Sequence, residues 1–235
     1  IDNSGSMMPF QNLLGQNMAD FMMVFLSYTP DFQMAFITTD NPNFVNTPID
    51  ARTANPIDDA IAAIDSIGIG GSGWEKGLQM LEDCMISGDC TQWMRPNAKL
   101  IAIFLSDEPD HSTSTPNYFI NSFDALKPDA FVPFAIIGDP PQGCPGQSGW
   151  STQPGWGYYD LVQHYGSQWF SICDGDWGAQ LESLAQNISV KTVFEIESED
   201  PHVDTLRVWI NGQQTSEGWL YDETQNAVVF EFEYA

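Results

Sequence analysis

Between positions 10 and 27 the chain carries apolar residues at Phe10, Leu13, Leu14, Met18, Phe21, Met22, Phe25 and Leu26, the three-and-four spacing that gives a helix one apolar face. Pro9 suits the first turn of that helix, where a backbone N–H has no partner to lose. Residues 31–39 read as a buried strand and 40–53 as a loop or hairpin, followed by helices over 57–67 and 74–86. Residues 99–106, Lys-Leu-Ile-Ala-Ile-Phe-Leu-Ser, form a continuous apolar run of strand length, the pattern of a parallel strand covered on both faces. A helix over 117–126 and a strand over 130–137 follow, with Pro133 marking an irregularity or an edge. After a Pro- and Gly-rich loop over 138–154 come a helix over 158–165, a short strand over 169–172 and a closing helix over 177–188. Strands alternating with helices predict an α/β fold with a mainly parallel sheet flanked by helices.

From about residue 191 the texture changes. Residues 193–196, 205–210, 218–221 and 227–233 are short β runs, with Asn211-Gly212 as a hairpin turn signal and a second turn over 223–226. The predicted organisation is one α/β domain over 1–190 and a small antiparallel β extension over 191–235, itself incomplete.

Composition narrows the partners. With 43% hydrophobic residues, eight Trp and fifteen Phe, the chain can bury a core. Seven Lys plus Arg against 32 Asp plus Glu give a formal charge of −25, which repels nucleic acid and anionic membrane surfaces. Most of these acids are read as solvated faces suited to a saline or extracellular setting, the alternative being affinity for divalent cations. No apolar run approaches the ~18–20 residues of a membrane span.

The four cysteines lack Cys-x-x-Cys spacing, and their even number favours disulfides in an oxidising compartment over buried thiols. Three pairings are open, and proximity favours Cys84–Cys90 and Cys144–Cys173.

In parallel α/β sheets ligands gather beyond the carboxyl ends of the strands. Three such places are rich in small oxygen ligands: Asp2-x-Ser4-x-Ser6 ahead of the first helix, Gly70-Gly71-Ser72-Gly73-Trp74-Glu75, and Leu105-Ser106-Asp107-Glu108-Pro109-Asp110. Hydroxyls and carboxylates without nearby Cys or His select Mg²⁺, Ca²⁺ or Mn²⁺ over zinc. Alone, Asp-x-Ser-x-Ser reads equally well as a helix cap.

Together, Asp2-Asn3-Ser4-Gly5-Ser6-Met7, Gly71-Ser72 before a helix and Asp107 at the end of an apolar strand resemble the metal-ion-dependent adhesion site of von Willebrand factor A (vWA) domains. With Ile-Thr-Thr-Asp, Gly-Ser-Gly-x-Glu-x-Gly-Leu and Leu-Ser-Asp-Glu, the chain is also similar to secreted or envelope-anchored bacterial vWA proteins. The resemblance covers residues 1–190 and implies a Rossmann-like vWA sheet. It implies direct coordination by Ser4 and Ser6, and direct or water-mediated coordination by Asp2 and Asp107. Ser72 stands where the family usually has threonine. Glu75, Glu108 and Asp110 are candidates around these ligands, though Glu75 also suits a helix N-terminus.

The implied function is a metal-dependent protein-binding module, extracellular, cell-surface or periplasmic, whose Mg²⁺ (or Ca²⁺ or Mn²⁺) accepts a carboxylate from a partner protein. A structural subunit of a surface filament, with neighbouring subunits as partners and a stabilising metal, is the alternative. A metal-assisted hydrolase ranks lower: no Ser-His-Asp set, paired general base or phosphate-cradling Lys loop is visible, and no catalytic residue is assigned. Asp110-His111 is read first as a solvated loop and second as a cation or proton site, and His164 and His202 as structural or surface residues. The aromatics from Trp150 to Trp169 are read as packing on the disulfide-held loop rather than as a sugar-stacking face, and Asn187-Ile188-Ser189 matches a glycosylation sequon. In the vWA arrangement the Asp-x-Ser-x-Ser loop follows the central strand. An apolar strand is therefore expected upstream of Ile1, and the chain, which stops within an apparent strand at 231–235, is expected to be a segment of a longer protein.

Overall fold

The computed structural model of the chain describes residues 1–29, 31–145, 151–188, 193–196, 198, 201–210 and 213–230. A 3-10 turn (Gly5–Met7) leads into α1 (Met8–Tyr28), with Pro9 in its first turn. Next come β1 (Gln33–Met34), β2 (Ile49–Asp50), α2 (Pro56–Ile67), α3 (Gly77–Ile86) and α4 (Cys90–Trp93). They are followed by β3 (Leu100–Ser106), α5 (Pro116–Leu126), β4 (Phe131–Ile137), β5 (Cys144–Pro145), β6 (Ser151–Thr152), α6 (Tyr158–His164), β7 (Trp169–Ser171) and α7 (Trp177–Ile188).

β3, β4 and β7 form a parallel sheet in that order, with β3 and β4 in register from Leu100↔Phe131 to Ser106↔Ile137. Because side chains alternate along a strand, the sheet feeds two cores. Ile101, Ile103 and Leu105 with Val132, Phe134 and Ile136 pack toward α1, α2 and α7. Leu100, Ala102 and Phe104 with Phe131, Ala135 and Ile137 pack toward α3, α5 and α6. The apolar run of β3 is thus a strand covered on both sides, as its sequence predicts. Pro133 pairs with Ala102 on β3, while β7 begins opposite Ala135. It therefore sits where β4 has a neighbour on one side only, which tolerates its missing N–H.

Three elements are shorter than predicted, among them the run over 205–210, whose first residue closes a 3-10 turn (Val203–Thr205) and whose strand begins at Val208. Of residues 31–39 only β1 is ladder-paired, antiparallel to β2. Residues 32–39 and 97–105 line a cavity of about 660 Å³, with Phe25, Leu81, Tyr158 and Leu184 also on its wall. Among the described residues no strand pairs with the edge of β3 that faces it, so 35–39 lack a continuous ladder on that side. α3 begins at Gly77 rather than at 74 because its start is fixed from another loop. The Asp110 carboxylate accepts the Leu78 N–H at 3.1 Å, and the Ser112 hydroxyl accepts that of Gln79 at 3.0 Å, satisfying orphan donors of the first turn.

Both disulfides form as proximity suggested, Cys84–Cys90 and Cys144–Cys173. The second ties the β5–β6 hairpin to the segment after β7. Within the aromatic stretch Tyr158 is fully buried, while Trp156, Tyr159 and Trp169 meet edge to face; Trp150 lies outside the described residues.

The C-terminal part contains β8 (Val193–Glu195), β9 (Val208–Ile210), β10 (Gln213–Thr215), β11 (Trp219–Asp222) and β12 (Ala227–Phe230). β11, β12 and β8 make one antiparallel sheet, and β9 pairs with β10 from Ile210↔Gln213. In the predicted turn over 223–226, Asn226 takes a φ of 49°, a left-handed conformation asparagine tolerates better than most residues. The Asn211-Gly212 turn, Ser189 of the sequon and residues 231–235 lie outside the described residues. Among the described residues no helix is long and apolar enough to cross a membrane.

Candidate metal centre

The first two residues knit the site to the sheet. The Ile1 nitrogen donates to Ile37 O at 2.9 Å, Thr39 N to Ile1 O at 3.2 Å, and Asp2 N to Leu105 O at 2.9 Å. The Asp-x-Ser-x-Ser loop is thereby placed at the carboxyl end of β3, with α1 leading away from it. Gln11 fastens the loop from the helix, its Nε2 donating to Asp2 O at 2.8 Å and Gly68 O at 3.0 Å.

Asp2 is fully buried and organises the loop. Its Oδ1 accepts Ser4 N at 2.7 Å and its Oδ2 accepts the Ser106 hydroxyl at 2.8 Å. Ser4 Oγ and Ser6 Oγ lie 3.1 Å apart, and the Ser6 hydroxyl donates to Asp107 Oδ1 at 3.2 Å. Two hydroxyls and a carboxylate about a hundred residues away in sequence thus converge. Asp107 is nearly buried, and burial first, then the Asp2 charge, pushes its carboxyl up to about 6. Burial also raises Asp2, against the hydrogen bonds from Ser4 and Ser106.

The second loop approaches through backbone contacts. Gly71 N donates to Asn3 O at 2.8 Å, and a Cβ on Gly71 would sit 2.3 Å from the Asn3 side chain, so only glycine allows this approach. Asp40 joins the loops, accepting Thr38 Oγ1 at 2.7 Å, Asn3 Nδ2 at 3.1 Å and Ser72 N at 3.2 Å. Burial pushes Asp40 upward, but these hydrogen bonds together hold it below the usual carboxylate range. The Ser72 hydroxyl accepts Trp74 N at 3.1 Å, so Ser72 borders the centre while its oxygen is engaged within its own loop.

Glu75 lies outside α3 and is fully buried, and among the described residues neither carboxylate oxygen has a hydrogen-bond partner. Burial, then the charges of Asp2 and Glu108, push it up to about 8. Glu108 and His111 lie within reach of it. Asp110 is not a solvated loop residue: its carboxylate caps α3 and also holds Ser112, from the hydroxyl at 2.9 Å and the backbone N at 3.2 Å.

The donor set fits a hard divalent cation. Asp2 and Asp107 bring two carboxyl groups together in a buried place, and among the described residues no Lys, Arg or His side chain forms an ion pair with either, the charge on the Ile1 nitrogen being the cationic influence on Asp2. Such a cluster is stable when a cation completes it. Sequence reasoning assigned no role to Ser106, Gln11, Asn3 or Asp40. Ser106 immediately precedes Asp107 on β3, which was a signal of a sort, whereas Gln11 and Asp40 reach the site only through tertiary packing.

A solved structure described as von Willebrand factor type A from Catenulispora acidiphila is similar to this chain, with a TM-score of 0.51 and 15% sequence identity, over 78% of this chain and 40% of that one. The chain spans less than half the length of that protein, and the likeness shows a vWA-like fold. No protein-family model and no curated protein matches the sequence.

Proposed function

We propose that the chain is a metal-dependent protein-binding module of an extracellular, cell-surface or periplasmic protein. In this reading Ser4, Ser6 and Asp107 hold Mg²⁺ (or Ca²⁺ or Mn²⁺), Asp2 orients them from behind, and Ser72 contributes from the neighbouring loop. The observation that carries the reading is the convergence of Ser4, Ser6 and Asp107 within hydrogen-bond distance beyond the carboxyl end of β3. A divalent ion bound there would act as a Lewis acid toward an outside carboxylate. The vWA-like fold, which suggests a protein-interaction module generally, and the two disulfides, which persist in oxidising compartments, support the setting.

The charge of −25 sets a condition on the partner. A carboxylate approaching so acidic a surface is repelled unless basic residues surround it, so the matching partner presents one acidic side chain within a basic patch. Association is then expected to slow as salt rises.

Calorimetric titration of the EDTA-stripped protein tests the reading. Mg²⁺ is expected to bind with one-to-one stoichiometry and Asp107→Ala to abolish it. An immobilised peptide carrying one Glu among Lys residues is expected to retain the protein in Mg²⁺ and release it in EDTA. Retention unchanged by EDTA, or heats indistinguishable from Asp107→Ala, would sink the proposal.

A further inference from the structure

We propose that Glu75, Glu108 and His111 form a second cation site, beside the hydroxyl-and-carboxylate centre and chemically distinct from it, that takes a transition ion of the Zn²⁺ or Co²⁺ class. One ligand atom from each of the three lies within 4.8 Å of the others, and His111 Nε2 is 3.8 Å from Glu108 Oε2. Ligands on one such ion, at bonds of ~2.1 Å in tetrahedral geometry, stand about 3.4 Å apart. Closing the site therefore asks for shifts of about an ångström, which the partly exposed Glu108 and His111 side chains can make.

Glu75 supplies the independent argument. It is 0% exposed, and among the described residues neither of its carboxylate oxygens has a hydrogen-bond partner. A carboxyl buried in this way is neutralised either by a proton or by a bound cation, and Glu108 and His111 place further ligand atoms within reach for the cation. The side chain that faces it with an available nitrogen is His111, whose imidazole distinguishes this site from a hard-oxygen one.

The place is built rather than accidental. His111 N donates to Glu75 O at 2.6 Å, joining the loop after β3 to the loop before α3. On either side, Ser106 holds Glu108 through its N–H at 3.1 Å, and Asp110 anchors the loop to α3 through Leu78 N at 3.1 Å. Trp74 meets the His111 ring edge-on, with centroids 4.9 Å apart, limiting the positions the imidazole can take. An ion here would clamp together the two loops that border the first centre.

The EDTA-stripped full chain, titrated with Co²⁺ by visible absorption and with Zn²⁺ by calorimetry in excess Mg²⁺, tests this. Wild type is expected to show a Co²⁺ d–d band that Zn²⁺ displaces. His111→Ala, at a partly exposed position outside the first centre, is expected to weaken Zn²⁺ by at least the ~10–100-fold typical of lost supporting groups while leaving Mg²⁺ binding intact. Asp107→Ala is expected to lose Mg²⁺ and keep the Co²⁺ band. No stoichiometric Zn²⁺ binding by wild type, or Zn²⁺ affinity unchanged in His111→Ala, overturns the second site. Loss of the Mg²⁺ signal alone overturns the function proposed above and not this site.

Discussion

Replacing Asp2 separates the structural work of its carboxylate from its charge. In Asp2→Ala, Ser4 N is stranded in a nearly buried loop, a loss of about 1–3 kcal/mol for an unsatisfied donor, and Ser106 loses its acceptor at 2.8 Å. Asp2→Asn can keep every bond. The amide oxygen takes Ser4 N, and the amide NH₂ donates to Ser106 Oγ, whose own proton turns to Glu108 O, already 3.0 Å away. In EDTA, urea unfolding is therefore expected to place Asp2→Asn within about 1 kcal/mol of wild type and Asp2→Ala about 2–3 kcal/mol below it. In Mg²⁺ the gap between Asp2→Asn and wild type widens, because the charge behind the ligands is gone and affinity falls about 10–100-fold. At Mg²⁺ equal to about 100 times the wild-type Kd, binding stabilises wild type by about 2.7 kcal/mol and Asp2→Asn by only about 0.4–1.4 kcal/mol. If Asp2→Asn is as unstable as Asp2→Ala in EDTA, the hydrogen-bond exchange is wrong. If it gains as much from Mg²⁺ as wild type, the Asp2 charge plays no part in cation binding.

Three further outcomes follow from the fold. The Cys144–Cys173 bridge closes 29 residues and Cys84–Cys90 closes 6, so loop-closure entropy predicts losses of about 3.6 and about 2.2 kcal/mol for the Ser pairs, read from urea midpoints without reductant; equal losses would contradict the entropic account. Burial holds the Tyr158 phenol well above its ordinary range, and burial with the Asp124 hydrogen bond does so for Tyr165. The folded state keeps protons that the unfolded chain releases, so stability is full below pH ~10 and falls as pH rises past it; Tyr165→Phe should lessen the fall between pH 8 and 11, and an unchanged slope would refute its share. A Val/Ile-rich strand of about six residues joined ahead of Ile1 is expected to enter the 660 Å³ cavity beside β3 and raise the urea midpoint above that of a Gly/Ser extension of equal length, whereas equal midpoints would mean that the cavity takes no strand.

Much of this protein is legible along the chain because the signals are local. The periodicity of α1, the unbroken apolar run of β3, the Pro- and Gly-rich punctuation and the cysteine spacings each report on neighbours in sequence, and α1, β3 and both disulfides stand where those patterns put them. The oxygen-rich loops were visible for the same reason, since each contains its own small polar residues. Which of those oxygens meet was not visible. Ser6 reaches Asp107 across a separation of 101 residues, and Ser106 reaches Asp2 across 104, contacts that exist only because β3 ends beside the first loop. Tertiary packing also made Asp110 a cap for α3 and left Glu75 buried without donors beside Glu108 and His111. Hydrophobic period and turn chemistry act within a few residues and so can be read from sequence. The burial and mutual repulsion that set the chemistry of a carboxylate depend on what the fold brings against it.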